Sequence, residues 1–447
     1  MLLTGRACAC WHRHSSLSFS SASTVAVLNA YTCSLLLRAA QLAGGTRERS
    51  YEALAYAAAG RAGRACARGG LLILLLGSLC GNFIVLVEVL SRGLREAGAP
   101  AAVHASHSVA AACSVLLLLL SLPRHFDFLE RPATAAMGVL VVLAGCVVYA
   151  GAQAGLPALF SNDAGGRAAE PWAAVGARTP SAVGVLGYAM YLHPQLLPVR
   201  AEMAQGKNGA DEAAAAVRWT LGCCLVLYVV VGSFGFGAWG DDTRRDVLDN
   251  LGGPPGWTTT VALATSFYLA VGFPTCVLPL RSSIEQLCMS PEASTQLTWC
   301  STSNVALTAA LVLSTAAAAW VLPGSASEVV FAFTGATGVC LICYVLPVWI
   351  YWRLVERAAA GAGSDAEAPL LQPDSDIAAA GPLPRRGSRN LALTDEAGDG
   401  VEEAPTAPLT RRDKIELVCV AVVGCLLSAL AVASVFIDAR HLKSDAR

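Results

Sequence analysis

Long apolar runs dominate the chain, and shorter polar stretches separate them. A helix needs about 20 mainly apolar residues to cross the hydrocarbon core of a membrane. The apolar runs therefore predict ten membrane-spanning helices. They cover residues 24–43, 71–91, 107–122, 133–153, 180–197, 218–239, 258–280, 304–322, 328–351 and 414–437. This pattern predicts an all-α polytopic membrane protein.

Three polar segments lie outside the predicted spans. Residues 1–23 are rich in serine, and residues 438–447 form a short polar tail. The long segment 353–413 has too few apolar residues to fold alone, so we expect a disordered loop. It contains the basic sequence Arg385-Arg386-Gly387-Ser388, which is typical of kinase sites. Two hypotheses remain for this segment: a kinase phosphorylates Ser388, or the segment is an unregulated linker.

The positions of lysine and arginine predict the orientation of the spans. If the first span runs from outside to inside, 19 of these residues lie in inner loops and 11 lie in outer segments. This count favours a cytosolic location for the loop 353–413. With ten spans, both chain ends then lie on the outer side.

Composition excludes several functional classes. Apolar residues make up 55% of the chain and charged residues only 14%, whereas soluble domains carry about 25% charged residues. A net charge of −1 gives no basis for nucleic-acid binding. We expect no metal or cofactor, although Cys8, Cys10, His12 and His14 form a short metal-like tract. No motif of an enzyme active site occurs, so we expect a protein that is not an enzyme.

The segment 180–197 carries the most informative pattern. Gly184 and Gly187 precede His193-Pro194, and Pro198 follows four residues later. Proline removes a backbone donor and clashes with the preceding turn. The segment therefore predicts a break, which at membrane depth is tolerated where the free backbone groups line a cavity. A merely kinked helix, with His193 bonded to a neighbouring carbonyl, is the alternative.

Two other spans have related features. Pro274 and Pro279 interrupt the apolar run 258–280, and Arg281 follows at its boundary. Arg281 fits either an interfacial anchor or part of a gate. Gly335 and Thr337 lie in a small-residue stretch of the span 328–351, which favours close helix packing over direct substrate contact.

Ionisable groups inside a membrane are costly, so they are functional candidates. His193 is one, and Glu88, late in the span 71–91, is another. Either group could exchange a proton.

Five motifs in order resemble the amino acid/auxin permease family, and within it the sodium-coupled neutral amino acid transporters. His193-Pro194-x3-Pro198-x3-Glu202 resembles that family's sixth-helix motif. The other four motifs are Asn82 to Glu88, Tyr228 to Asp241, Phe273 to Arg281 and Gly335 to Pro347. The resemblance covers roughly residues 24–437, apart from the insert 353–413.

The resemblance implies an inverted five-helix-repeat transporter fold of the amino acid–polyamine–organocation type, with eleven helices. It places the substrate where the first and sixth helices unwind. The ten predicted spans align with helices two to eleven, so the first helix has no counterpart here. We expect that the natural transcript encodes this helix upstream, and that Met1–Ser23 is partly an artefact of the gene model.

The resemblance implies secondary transport of small neutral amino acids, coupled to protons or sodium. The alternative is a non-transporting sensor or regulator that has lost the first helix. Sodium-coupled members carry a hydroxyl on the eighth helix, where this chain has Ala270, Val271 and Gly272. This difference favours coupling to protons over coupling to sodium. We expect the plasma membrane or a vacuolar or lysosomal membrane.

The candidate residues fall into three groups. The substrate group is Tyr188, Tyr191, His193 and Pro194. The ion-coupling group is His193, Glu88, Thr265 and Ser266. The gating or structural group is Pro198, Glu202, Pro274, Pro279, Arg281, Gly335 and Thr337. Apart from the substrate, the expected partner is the lipid bilayer.

Overall fold

The computed structural model of the chain describes ten ranges of residues. They are 15–43, 50–124, 127–154, 179–202, 209–239, 247–251, 256–288, 300–322, 326–362 and 409–444. Every regular element within these ranges is helical.

Thirteen α-helices follow one another in the described ranges, with one π-helical segment among them. The first six are α1 (Ser15–Leu42), α2 (Tyr51–Glu96), α3 (Ala101–His104), α4 (Ser106–Ser121), α5 (Glu130–Ala154) and α6 (Thr179–Ala189). The next four are α7 (His193–Glu202), α8 (Gly209–Trp239), α9 (Trp257–Cys288) and α10 (Thr302–Val321). The last elements are α11 (Ala326–Thr334), the π-helix Gly335–Val345, α12 (Leu346–Ala362) and α13 (Arg411–Ser444).

Seven stretches of the described helices are long and apolar enough to cross a membrane. Helix α4 is apolar but spans only 16 residues. Ten spans were predicted, and three of them are not among the seven stretches. The span 107–122 corresponds to the shorter helix α4, the span 180–197 is divided between α6 and α7, and the span 414–437 lies within α13. The protein is an integral, multi-pass membrane protein.

Three predicted boundaries differ from the structure. Helix α1 begins at Ser15, inside the segment 1–23 that was assigned as polar. Residues 51–70, assigned to a connecting loop, are helical and continue into the span, with a kink at Ala59 and Gly60. Helix α12 continues to Ala362, so the predicted start of the long loop at residue 353 is wrong. In these three places the helix extends beyond the apolar run into turns with polar side chains, which the apolar pattern does not identify.

The segment 326–362 combines three helical forms. Helix α11 passes into the π-helix Gly335–Val345, which passes into α12. A π-helix of 11 residues is unusual, because most π-helical segments are single turns within α-helices. Close packing holds it in place. A β-carbon on Gly338 would lie 2.9 Å from the backbone of Leu74, so α2 approaches here only because the residue is glycine.

One large core unites α1, α2, α6 and the π-helix. Phe83 of α2 meets Phe273 of α9 edge to face, with ring centroids 6.3 Å apart. Helix α2 packs along much of α9 and also against α11. This arrangement surrounds the break between α6 and α7 with α1, α2, α8 and the π-helix.

Candidate functional site

The backbone is non-helical between the end of α6 at Ala189 and the start of α7 at His193. Neighbouring helices provide partners for both ends of this break. The hydroxyl of Tyr228 on α8 donates to the carbonyl of Ala189 over 2.9 Å. His193 begins α7, and its ring contacts α1. The prolines and glycines remove local helix stability here, and α1 and α8 satisfy polar groups at the break.

Tyr191 lies within the break and reaches across to two other helices. Its hydroxyl oxygen is 3.2 Å from Oγ of Ser78 on α2 and 3.8 Å from Sγ of Cys276 on α9. Its ring lies 5.2 Å from that of Tyr188, which in turn lies 4.9 Å from Phe331 on α11. Tyr188 and Tyr191 therefore meet in an aromatic cluster that ends in hydroxyl and thiol groups.

His193 is completely buried. Its Nε2 lies 2.9 Å from Oγ1 of Thr32 and 3.4 Å from Sγ of Cys33, both on α1. Its Nδ1 has no hydrogen-bond partner in the described part of the chain. The histidine joins α7 to α1 through one nitrogen, and the other is left as a buried polar atom beside the break.

Pro194 and Pro198 have different positions in α7. Pro194 is the second residue of the helix, where a missing N–H removes no helical bond. Pro198 lies inside the helix. Glu202 is its last residue, and its side chain is outside the described residues.

Helix α9 passes through both of its prolines. It runs unbroken from Trp257 to Cys288, with Pro274 and Pro279 inside it. The two prolines therefore do not open a second break. The Thr275 hydroxyl donates to the Gly272 carbonyl over 2.6 Å, which satisfies a backbone group near Pro274.

The two hydroxyl residues proposed for ion coupling lie on the same helix. Thr265 donates to the Val261 carbonyl of its own helix over 2.8 Å. Ser266 is buried, and its hydroxyl has no partner among the described residues. Ten residues separate Ser266 from Cys276, about 15 Å along a helix. The structure therefore does not bring these hydroxyls to Tyr191.

Arg281 is buried and lies within a polar cluster. One of its terminal nitrogens donates to the Ser121 carbonyl over 2.9 Å and to the Thr308 hydroxyl over 3.0 Å. The other donates to the Pro123 carbonyl over 2.9 Å. The interpretation of Arg281 as an interfacial anchor is wrong, because its side chain is only 3% exposed. It caps the C-terminal end of α4.

Three further side chains complete the cluster. Arg124 makes a two-pronged ion pair with buried Glu285, at 2.8 and 2.7 Å. Arg124 also donates to Asn304 of α10, whose amide donates to the Leu122 carbonyl. The cluster thus ties the end of α4 to α9 and α10.

Glu88 lies away from the break. Its side chain is 38% exposed and is 3.7 Å from Arg92 on the next turn. It lies ten residues beyond Ser78 on α2, about 15 Å along the helix. The structure therefore does not join Glu88 to His193 in one site.

Gly335 and Thr337 begin the π-helix. A β-carbon on Gly335 would collide with the Gly184 carbonyl, so α6 and the π-helix touch at two glycines. The Thr337 hydroxyl donates back to Phe333 over 2.7 Å and is exposed. Ser388 and the tract Cys8 to His14 lie outside the described residues.

Sequence reasoning missed four residues at the break: Thr32, Ser78, Tyr228 and Cys276. Their signal is weak, because threonine, serine and cysteine occur widely in membrane helices and only the fold brings these residues to the break. Tyr228 was noted as part of a motif, without a role.

The sequence profile of the family described as "Transmembrane amino acid transporter protein" matches residues 17–371. "Solute carrier family 38 member 10" of Rattus norvegicus is 26% identical over 341 residues, which is 73% of this chain and 29% of that protein. "Amino acid transporter AVT6A" of Arabidopsis thaliana is 36% identical over 143 residues, 30% of each chain.

"Sodium-coupled neutral amino acid transporter 4" of Mus musculus is 21% identical over 183 residues, 40% of this chain and 32% of that protein. The chain spans about three tenths of the length of the curated relatives named here. The family match itself covers most of the chain and confirms the resemblance that the five motifs indicated. The chain belongs to the transmembrane amino acid transporter family.

Proposed function

We propose that this protein carries small neutral amino acids across a membrane by secondary transport, with protons as the coupling ion. The observation that carries the proposal is the break between α6 and α7 inside the helical bundle. The end of α6 offers backbone carbonyls and the start of α7 offers backbone N–H groups. An amino acid has a matching pair of groups, an ammonium donor and a carboxylate acceptor.

The preference for a neutral side chain follows from the residues around the break. They carry hydroxyl, thiol, imidazole and aromatic groups but no formal charge. They are Tyr188, Tyr191, His193, Ser78, Cys276 and Tyr228. A charged substrate side chain would lose its hydration there without gaining an ion pair, which costs several kcal/mol. The crowded rings of Tyr188, Tyr191 and Phe331 favour a small substrate.

Protons are favoured over sodium because the two candidate hydroxyls of α9, those of Thr265 and Ser266, lie away from the break. The hydroxyl of Thr265 is bonded to its own helix, and Ser266 lies about 15 Å from Cys276 along the helix. His193 is a titratable group at the break itself.

Uptake by purified protein in lipid vesicles tests the proposal. Radiolabelled alanine, glutamine and lysine should be compared under an imposed pH gradient, an imposed sodium gradient and no gradient. We expect uptake of the two neutral amino acids, driven mainly by the pH gradient. Uptake that requires sodium and does not change with the pH gradient would refute proton coupling. Absence of uptake with amino acid binding retained would favour the sensor reading.

His193→Ala tests the position of the site. It should lower uptake strongly, because it removes the imidazole at the break. His104→Ala is the matched control, since His104 bonds only to the nearby Ala99 carbonyl, over 3.0 Å. Equal uptake by the His193 variant and the wild type, at matched protein levels, would reduce His193 to a packing role.

A further inference from the structure

The contact between α1 and α7 determines which nitrogen of His193 carries the proton. The Thr32 hydroxyl has one hydrogen and three neighbours: the Leu28 carbonyl at 2.9 Å, the Asn29 carbonyl at 3.2 Å and His193 Nε2 at 2.9 Å. Carbonyl oxygens only accept, and helical threonines commonly donate to the carbonyl one turn earlier. The hydroxyl oxygen is then free to accept a hydrogen bond from Nε2–H.

The other ring nitrogen supports the same assignment. In a neutral imidazole one nitrogen is a donor and the other is an acceptor. Nδ1 is buried and has no partner among the described residues. A buried N–H without an acceptor is rarer than an acceptor with an unused lone pair. Both observations place the hydrogen on Nε2 and leave Nδ1 as the nitrogen without a hydrogen.

A second unused acceptor lies on α1. Asn29 is fully buried, and its amide nitrogen donates to the Val25 carbonyl over 2.9 Å. Its amide oxygen has no partner in the described ranges. Asn29 and Cys33 are four residues apart and so lie on one face of α1, and Cys33 contacts His193 Nε2 over 3.4 Å. The helix that holds the ring therefore carries a second buried acceptor without a partner among the described residues.

We propose that Thr32 is a positioning residue, which holds His193 as the Nε2–H tautomer so that Nδ1 takes up the coupling proton. The step moves one proton from hydronium to Nδ1, gives an imidazolium and a water molecule, and changes no oxidation state. This inference rests on the proposed function, because it names the atom and the positioning residue of proton coupling.

The surroundings of His193 keep the proton step separate from surface charges. Its ring forms no ion pair in the described part of the chain. The elements packed around it carry titratable groups that include Cys33 on α1, Tyr51 on α2, Tyr228 on α8, Cys343 on the π-helix and Arg200 on α7. Arg200 is seven residues beyond His193, and its guanidinium points to the Leu37 carbonyl at 3.5 Å. None of the other four is charged at neutral pH in a buried setting.

Nitrogen-15 NMR of the protein in lipid tests the tautomer directly. The chain has seven histidines, so a variant with glutamine at the other six positions reports on His193 alone. The wild-type Thr32 background and Thr32→Ser should both show the Nε2–H tautomer. Thr32→Val should show a mixture of tautomers. The proposal fails if the wild-type background shows Nδ1–H, or if Thr32→Val leaves the Nε2–H signal unchanged.

Transport then tests the role. Thr32→Val should lower uptake driven by a pH gradient about tenfold, the effect of one lost hydrogen bond, and Thr32→Ser should restore it. Thr315→Val is the matched control, because Thr315 is buried but bonds only within its own helix, to Val312 over 2.7 Å. Equal losses in both valine variants would refute a positioning role. If the wild type takes up no amino acid, the proposed function fails while the NMR result still decides the tautomer.

Discussion

Two regions of this protein carry nearly the same sequence signal and have different structures. The segment 184–202 and helix α9 each hold two prolines, four and five residues apart. The first is broken between Ala189 and His193, and the second is one helix of 32 residues. A pair of prolines weakens a helix in both places. Tertiary contacts decide whether the weak point opens.

The contacts around the two regions differ in kind. At the break, the Tyr228 hydroxyl of α8 donates to the Ala189 carbonyl, and the Thr32 hydroxyl of α1 hydrogen-bonds the His193 ring. The polar groups at the two helix ends therefore have partners on other helices. In α9, hydroxyls of the same helix serve its carbonyls: Thr275 bonds Gly272, and Ser282 bonds Pro279. The end of α9 is also tied to α4 and α10 by the cluster of Arg281 and Glu285. Under the proposed function the broken region holds the substrate, and α9 forms part of the frame around it.

Glu285→Ala should have the largest effect, because it removes the anion from the frame. It leaves Arg124 and Arg281 without their buried partner, which should lower stability by about 3–5 kcal/mol. Thermal unfolding in one detergent measures the loss. Hydrogen exchange of the amides between Pro274 and Pro279 should also rise, if the cluster is what keeps α9 straight.

Glu356→Ala is the control for that change. Glu356 pairs with Lys414 at 3.6 Å, and its side chain is 41% exposed. Exposed ion pairs contribute about 0–1 kcal/mol, so the midpoint should hardly move. Similar losses in the two variants would show that the frame does not depend on the buried cluster.

Pro194→Ala should have the next largest effect, because it restores an N–H group and removes the clash that favours the break. Alanine is about 3 kcal/mol more favourable than proline inside a helix. Part of that free-energy difference should shift the equilibrium towards a continuous helix across the break between α6 and α7. We expect uptake to fall roughly tenfold, since a shift of about 1.4 kcal/mol is tenfold in an equilibrium.

Pro274→Ala is the matched comparison for Pro194→Ala. Helix α9 is already continuous at this proline, so alanine should leave uptake within about twofold of wild type and raise stability by up to about 3 kcal/mol. Vesicle uptake and thermal unfolding, measured on both variants, decide the matter. Equal behaviour of the two proline variants would break the contrast between the regions.

The distribution of apolar residues was sufficient to place most of the helices. It also indicated where the chain could break, through His193, Pro194 and the nearby glycines. The sequence pattern alone could not show whether the segment around His193 breaks or only kinks, nor that α9 stays continuous. The residues whose contacts decide this lie far away in sequence. Thr32 is 161 positions from His193, and Ser121 is 160 positions from Arg281.

The candidate site shows the same division. Tyr188, Tyr191 and His193 lie at or next to the break, and the sequence pointed to them because aromatic and ionisable groups stand out beside a pair of prolines. Ser78 and Cys276 were missed, since a serine or cysteine in an apolar run has many ordinary roles. Glu88 was overvalued: a carboxylate in a span suggests function, but the helix direction places it beside Arg92 at an exposed position.

Tyr228→Phe should have a smaller effect on the break. It removes the donor to the Ala189 carbonyl and should cost about 1 kcal/mol. Thermal unfolding should show a modest decrease in the midpoint, and uptake should fall less than with Pro194→Ala. Tyr149→Phe is the control, because Tyr149 is 66% exposed on α5. An unchanged midpoint in the Tyr228 variant would mean that the α6 carbonyl finds another donor.

The smallest expected effect concerns how an intact helix end is capped. At the start of α13 the backbone N–H and the hydroxyl of Thr410 donate to Asp413 over 2.9 and 2.7 Å. The Asp413 N–H donates back to the Thr410 hydroxyl over 3.2 Å. This reciprocal pair satisfies donors that a helix start leaves free. Hydrogen bonds from the Thr410 hydroxyl and backbone lower the pKa of Asp413 from its usual value of 3.8.

The direction of that pKa shift gives the pH dependence. A carboxylate whose pKa is lower in the folded state stabilises the fold above its unfolded pKa, and the contribution disappears as pH falls through the lower folded value. The first turn of α13 should therefore lose protection from hydrogen exchange in acid. The start of α10 is the comparison, because Ser301 caps it by accepting from the Asn304 N–H over 3.3 Å and does not titrate. Protection factors, which correct for the pH dependence of chemical exchange, should fall in acid for residues 411–414 and not for residues 302–305.

In Asp413→Asn the response of α13 to acid should vanish, because an amide keeps an acceptor oxygen but has no charge to lose. An acid response that persists in this variant would assign the effect to another group.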